Sequence, residues 1–580
     1  MKRTVAIGRQ NFASIREENY FYIDKTNFIK EWWESGDETT LITRPRRFGK
    51  TLNLNMMEYF FSNKYAGGEN IFEGLSIWQE EKYRKLQGTY PVISLSFANV
   101  KKADFASAKV VINQVIKNLY ESHNVIKDSK LLTKGDQDFF QRIVLDEANE
   151  TELSLSLHQL SKFLYQYYGK KVIILLDEYD TPMQEAYVEG YWEEMVSFIR
   201  SLFNSTFKTN PYLERGLMTG ITRVSKESIF SDLNHLKVVT TTSEKYATCF
   251  GFTEEEVFSV LEEYGLSEEK DKVKSWYDGF IFGKVADIYN PWSIINFLDT
   301  KQYDPYWANT SSNKLISELI KKAAPEIKQK FYDLLEGKSI FSPIEEQLVY
   351  DHLEQGEKAI FSLLVASGYL KILAFDRQEK IPVSKEPMYE LTLTNGEVSI
   401  LFHSLVRGWF EGVEAEYSGF LKALLLSDVE YMNEYMNRIS MEIFSYFDTG
   451  KKAYGSDPER FYHGFVLGLL VELKDRYVIT SNRESGFGRY DIIMEPKKEE
   501  LPAIIIEFKV FNKRREQNLE ETVAAALTQI EEKKYEKELI ARGIARKRIK
   551  KYGFAFLGKE VLIGEKDEGS CKREMKEEWV

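Results

Sequence analysis

In "KKVIILLDEYD", residues 170–180, an apolar run from Val172 to Leu176 stops on two acids, Asp177 and Glu178. Side chains alternate along a strand, so a run apolar at every position belongs to a strand covered on both faces, the hallmark of a parallel sheet. Three more strands are expected, at "TTLIT" (39–43), "YPVISLSFANV" (90–100) and "RGLMTGITR" (215–223). Helical periodicity lies between them, around 106–122 and 152–168. Strands alternating with helices predict an α/β fold, a doubly wound parallel sheet within residues 1–245. Ligands of such sheets bind at the C-terminal ends of the strands, where Asp177 and Glu178 stand.

A second signal sits at the end of the first strand. "TRPRRFGKTLNLNMMEYFF" places Gly49, Lys50 and Thr51 between a strand and a helix. A triphosphate needs backbone N–H groups at a helix N-terminus, a lysine for the β- and γ-phosphates, and a hydroxyl for Mg2+. The general loop pattern opens with glycine six residues before the lysine; here Arg44 stands there. About 125 residues later, Asp177 is placed to hold Mg2+ and Glu178 to orient or deprotonate water. Arg223, ending the fourth expected strand, is a candidate γ-phosphate contact.

"FYIDKTNFI", "LITRPRRFGKTLNLNMMEYFF", "VIILLDEYDTPM" and "GLMTGITRVSKESIFSDLNHL" resemble the AAA-ATPase-like family over roughly residues 5–320. That family's loop reads RPRRFGK[ST], so Arg44 departs only from the general pattern. The resemblance implies ATP and Mg2+ held by Lys50 and Thr51, with Asp177 and Glu178 as the acidic pair. Side-chain charge from Arg44, Arg46 and Arg47 is expected to replace some glycine flexibility around the phosphates. Asp24 and Lys25 fall in a matched motif without an assigned role.

The C-terminal third carries another constellation. In "GFGRYDIIMEPKKEELPAIIIEFKVF" (486–511), Asp491 opens one strand and Glu507 and Lys509 share a face of the next. Two carboxylates offer hard oxygens to Mg2+, and a lysine beside them suits phosphodiester hydrolysis. This stretch, with "RFYHGFVLGLL" and "SNRESGFGRYDIIM", resembles the PD-(D/E)XK nuclease superfamily over about residues 400–560. The resemblance implies catalytic and metal-binding roles for Asp491, Glu507 and Lys509, with Glu459 (Glu472 its rival) as an acid on the preceding helix, "PERFYHGFVLGLLVELKDRY" (458–477). Gln529 on the following helix is expected near the site, sharing a face with Lys533. The lysine- and arginine-rich stretch 533–554 is expected to contact phosphates.

Three regions are expected: 1–245 as the phosphate-loop domain, 246–400 as a mostly helical middle, and 401–580 as an α/β restriction-endonuclease-like domain. In the middle, "WYDGFIFG", "IYNPWSIINFL" and "YWANTSSN" are read as packing and turns. A net charge of −12 argues against nonspecific wrapping of nucleic acid by the whole surface. The two cysteines, Cys249 and Cys571, suit a reducing, cytoplasmic setting. "MKRTVAIGRQNF" lacks the apolar run of a signal peptide, and no 18-residue apolar stretch predicts a membrane span. The expected partner is nucleic acid, DNA ahead of RNA; the sequence leaves oligomeric state open, a homo-oligomer being compatible with the arginine that ATPases of this general type commonly lend across a subunit interface. Two readings stand: an ATPase joined to a Mg2+-dependent nuclease, or an ATP-driven switch whose nuclease-like fold binds without cutting.

Overall fold

Strand β1 (Thr39–Thr43) is buried at all its positions, and so is β3 (Val172–Asp177), as their composition requires. With β2 (Val92–Ser96), β4 (Leu213–Gly220) and β5 (Leu236–Val239) they form a wholly parallel sheet of order β2-β3-β4-β1-β5. This is the expected α/β architecture. A computed structural model describes residues 3–127, 129–223, 230, 235–308, 316, 319–320, 323, 325–335, 337–345, 356–375, 387–408, 414–444, 466–467, 469–470, 473, 476–481, 484–485, 488–489, 491–498, 501–558 and 560–566.

Helix α1 (Lys50–Phe61) leaves β1 through the 44–49 loop. Helix α2 (Glu150–Tyr168) starts on a capping box in which Asn149 and Glu152 satisfy each other's backbone N–H groups. After β5 come the short strands β6 (Phe252–Thr253), β7 (Phe280–Phe282) and β8 (Val285–Tyr289), which make an antiparallel sheet. Helices α3 (Glu254–Glu263), α4 (Pro291–Thr300) and α5 (Gly396–Gly408) belong to the same helix-rich middle. Ile340–Pro343, Leu370–Phe375 and Met388–Leu393 add a second small antiparallel sheet.

The chain divides into two compact units, residues 1–323 with 333–402, and 324–332 with 403–580. The middle stretch thus clusters with the parallel sheet. In the second unit, strands β9 (Tyr477–Ser481), β10 (Ile492–Pro496), β11 (Ala503–Val510), β12 (Ile549–Leu557) and β13 (Glu560–Glu565) lie in that order in one mixed sheet. Only the β11–β12 pair is parallel. Helix α6 (Leu519–Lys533) makes the crossover between them, and Asn518 caps it through a bond to the Glu521 N–H.

Candidate functional site

Two clusters of polar side chains stand out, one in each unit. In the first, Gly49 takes the left-handed conformation (φ 80°) just before α1, and Arg47 does so at φ 64°. Lys50 is buried, its ammonium bonded to the Arg44 and Pro45 carbonyls at 3.0 Å each, so it ties the loop across its mouth. The Thr51 hydroxyl donates to Asp177 Oδ2 at 2.6 Å, and Thr219 donates to Oδ1 at 2.6 Å. Burial, then the neighbouring Glu178 charge, holds the Asp177 carboxyl above the usual range, against hydrogen bonds from Thr219 and Thr51 and the charge of Lys50. A buried carboxylate held in this way, beside a hydroxyl and a second acid, is an oxygen set short of positive charge. It fits a hard divalent cation such as Mg2+.

Glu178 sits at φ 54°, a costly conformation for a non-glycine residue, and accepts from Thr181 Oγ1 at 3.0 Å. Arg223 is half-buried, three residues past the end of β4, on the same sheet edge as Gly49 and Asp177. A cleft of about 110 Å3 opens beside Gly49 and the first turn of α1. Val5, Ile23, Leu52, Phe252, Pro291 and Ile295 wall it.

The three arginines of the loop do different things. Arg46 is half-buried and Arg47 exposed, the Arg47 guanidinium lying 4.4 Å from the Trp292 ring centroid. Arg44 corrects the expectation of a phosphate-facing charge. It is fully buried, donates to the Thr43 and Thr240 carbonyls at 2.9 and 2.6 Å, and lies 4.5 Å from the Phe282 ring centroid. Burial pulls its guanidinium down to about 10. Its terminal nitrogens donate to backbone oxygens of β1 and of the loop after β5, as a buried guanidinium requires, while its Nε stays buried without an acceptor among the described residues. Asp24 is likewise a local strut, accepting from the Thr26 and Ser76 N–H groups, and Lys25 bonds to the Thr248 carbonyl and Glu256.

Asp180 was missed by sequence reasoning, although it stands in the same "DEYD". It is fully buried, and its Oδ2 accepts from the Ile221 and Thr222 N–H groups at 3.0 and 2.8 Å and from Gln184 at 2.8 Å. It therefore ties the end of β3 to the turn that leads into Arg223.

In the second unit, β10 and β11 pair with Ile492 opposite Ile506. One step further, the same register sets Asp491 opposite Glu507, and opposed residues of an antiparallel pair share a face. The Asp491 carboxylate accepts from the Phe508 N–H at 2.8 Å. Gln529 of α6 bridges the rest: its amide donates to Glu507, and its carbonyl accepts from Lys509 Nζ at 2.8 Å. Nearby Tyr535 is buried; burial first, with the Glu507 and Asp491 charges, holds its phenol up. Helix α6 reaches this site because Glu507 pairs with Gly553, and Gly553 with Gly564. A Cβ at Gly553 would lie 2.9 Å from the Val523 carbonyl. Two carboxylates on neighbouring strand ends, both close enough to act on Tyr535, with a lysine beside Glu507, offer the oxygens a divalent cation takes. Glu459 and Glu472, with most of the helix expected at 458–477, lie outside the described residues.

The basic stretch after Lys533 is a correction in part. Lys551 pairs with Glu531 (2.7 Å) and Glu536; Arg546 pairs with Glu536 (2.9 Å) and Arg542 with Glu538 (2.6 Å). Lys550 and Arg548 donate to the Leu425 and Leu501 carbonyls. Much of this charge holds the unit together; Lys534 and Lys547 of this stretch are exposed, while Lys533 is half-buried.

Residues 6–230 match the family model described as "Predicted AAA-ATPase", and residues 457–566 match the PD-(D/E)XK nuclease superfamily. Both resemblances drawn from the sequence are thereby borne out, and the chain joins an AAA-ATPase-like region to a PD-(D/E)XK nuclease-like one. It is also 26% identical over 404 residues, 68% of each chain, to an "Uncharacterized protein in vnfD 5'region" of Azotobacter chroococcum mcd 1. No helix among the described residues is long and apolar enough to cross a membrane.

Proposed function

We propose that the chain is an ATP-hydrolysing, Mg2+-dependent nuclease that cuts nucleic acid, DNA ahead of RNA. The observation that supports this reading is the end of β11, where Gln529 bonds both Glu507 and Lys509 and Asp491 accepts from the Phe508 N–H between them. Asp491 and Glu507 are the residues to hold Mg2+, which when bound polarises a phosphodiester and acidifies water. Lys509, steered by Gln529, neutralises charge that develops on the phosphate. In the first unit, Lys50 and the loop's N–H groups bind the triphosphate, and Thr51 and Asp177 hold its Mg2+. Glu178 orients water, Arg223 faces the γ-phosphate, and the cleft beside Gly49 receives the base. A cytoplasmic setting and a homo-oligomer complete the reading.

The test incubates the purified chain with plasmid DNA or RNA, with Mg2+ or a chelator, with and without ATP. Cleavage is expected in Mg2+ and is expected to disappear in Asp491→Ala, while phosphate release disappears in Lys50→Ala. Cutting that persists in Asp491→Ala or in chelator rejects the nuclease site. ATP turnover that persists in Lys50→Ala rejects the phosphate site.

A further inference from the structure

The aromatic stretches of the middle region converge on one atom. Asn290 Nδ2 and Trp307 Nε1 both donate to the Arg46 carbonyl, at 3.3 and 3.0 Å. These donors come from segments 244 and 261 residues away in sequence. Both residues are buried. Asn290 is itself fixed as the cap of α4, its Oδ1 accepting from the Trp292 N–H at 2.9 Å. Trp307 is held by Glu397 of α5, which accepts from the Trp307 N–H at 3.0 Å and from Ser293 Oγ at 2.8 Å. The Trp307 ring packs on Phe280 and Tyr369. The next loop residues are clamped by the same wall: Arg47 over Trp292, and Phe48 against Phe280 and Phe282 at 4.7 and 5.4 Å.

A trans peptide sets its C=O and N–H in opposite directions. Two donors pulling on the Arg46 oxygen therefore turn the Arg47 N–H away from the wall. They also hold Arg47 in its left-handed conformation, which a non-glycine residue keeps only where its surroundings enforce it. Successive N–H groups around such a residue form an anion-binding concavity. The geometry points to Trp307 and Asn290 as positioning residues of the phosphate site, presenting the Arg47 N–H to a bound phosphate, with Glu397 setting Trp307. This rests on the nucleotide reading above.

The experiment titrates Mg·ATP and, separately, adenosine against the full chain and its Trp307→Phe, Asn290→Asp and Lys50→Ala variants, with the melting temperature of each. Trp307→Phe keeps a ring against Phe280 and Tyr369 but loses the donor; Asn290→Asp keeps the capping oxygen and loses its donor. Each is expected to raise the Kd for Mg·ATP about 3- to 10-fold, the scale of one net hydrogen bond, and to leave the weaker adenosine affinity as it was. If Trp307→Phe melts early, Asn290→Asp decides. Wild-type Mg·ATP affinity in the folded variants overturns the proposal. So does an equal loss for ATP and adenosine, which marks damage to the wall instead of the phosphate contact. A parent chain that binds no Mg·ATP, or a Lys50→Ala chain that binds it as the parent does, overturns the nucleotide reading itself.

Discussion

Asp278, just before β7, is a carboxyl whose surroundings favour its proton. Burial first, and then Asp287 of β8, push it up from the ordinary 3.8 to about 7. One of its oxygens, one of Asp287 and one of Glu254 lie within 4.8 Å of one another. Lys274 pairs with Glu254 and Asp287, Lys371 adds a second positive charge, and the Tyr289 hydroxyl bonds to Glu254. Burial alone raises Glu397 to about 7 as well. A carboxyl whose folded pKa lies above its unfolded one stabilises the fold fully below the unfolded value and loses that contribution as pH climbs through the folded value. The first unit is therefore expected to lose stability between about pH 4 and about pH 7 through these two groups. Melting temperature measured across that window in Asp278→Asn should fall less steeply than in the parent chain; an unchanged slope would remove Asp278 from this account.

At the scale of elements, the approach of α6 to its sheet depends on the absence of side chains at Gly553 and Gly564. Gly553→Ala would press a methyl group onto the Val523 carbonyl and lift the helix that carries Gln529. A cost of about 1–3 kcal/mol is expected from overpacking. The second unit should unfold at lower denaturant, and cleavage should fall while ATP turnover holds; equal cleavage in the variant would show that the helix need not sit so close. Elements like α6 and the strands β1 and β3 were legible because their signals are local: an apolar run, a loop ending in GKT, a period of 3.6. Strand β5, "LKVV", was not, since four residues with an interior lysine become a strand only by pairing with β1. The second carboxylate site was legible as residues but not as a network, because Gln529 reaches Glu507 through a crossover of some twenty residues. The direction of Arg44 and the meeting of Asn290 with Trp307 depend on partners some 200 residues distant, which no local pattern encodes. The basic run after Lys533 misled for a different reason: its charges and the nearby Glu531 and Glu536 are all legible, but their pairing is made only when α6 packs against β12.

Across the whole molecule, the two sites belong to different compact units. Calorimetry of the full chain is expected to show two unfolding transitions, of which saturating Mg·ATP raises one, by about 2.7 kcal/mol at a hundredfold excess over Kd. A single transition that shifts as a piece would contradict that division. The interior placement of Arg44 limits what can replace it. Its guanidinium serves the Thr43 and Thr240 carbonyls and stacks near Phe282, so those segments have settled around it. Putting back the glycine of the general pattern would not repair the loop; it would open a void lined with stranded oxygens. Arginine at this position is a strut of the loop's own scaffold, so glycine and arginine here are not interchangeable ways of building one loop.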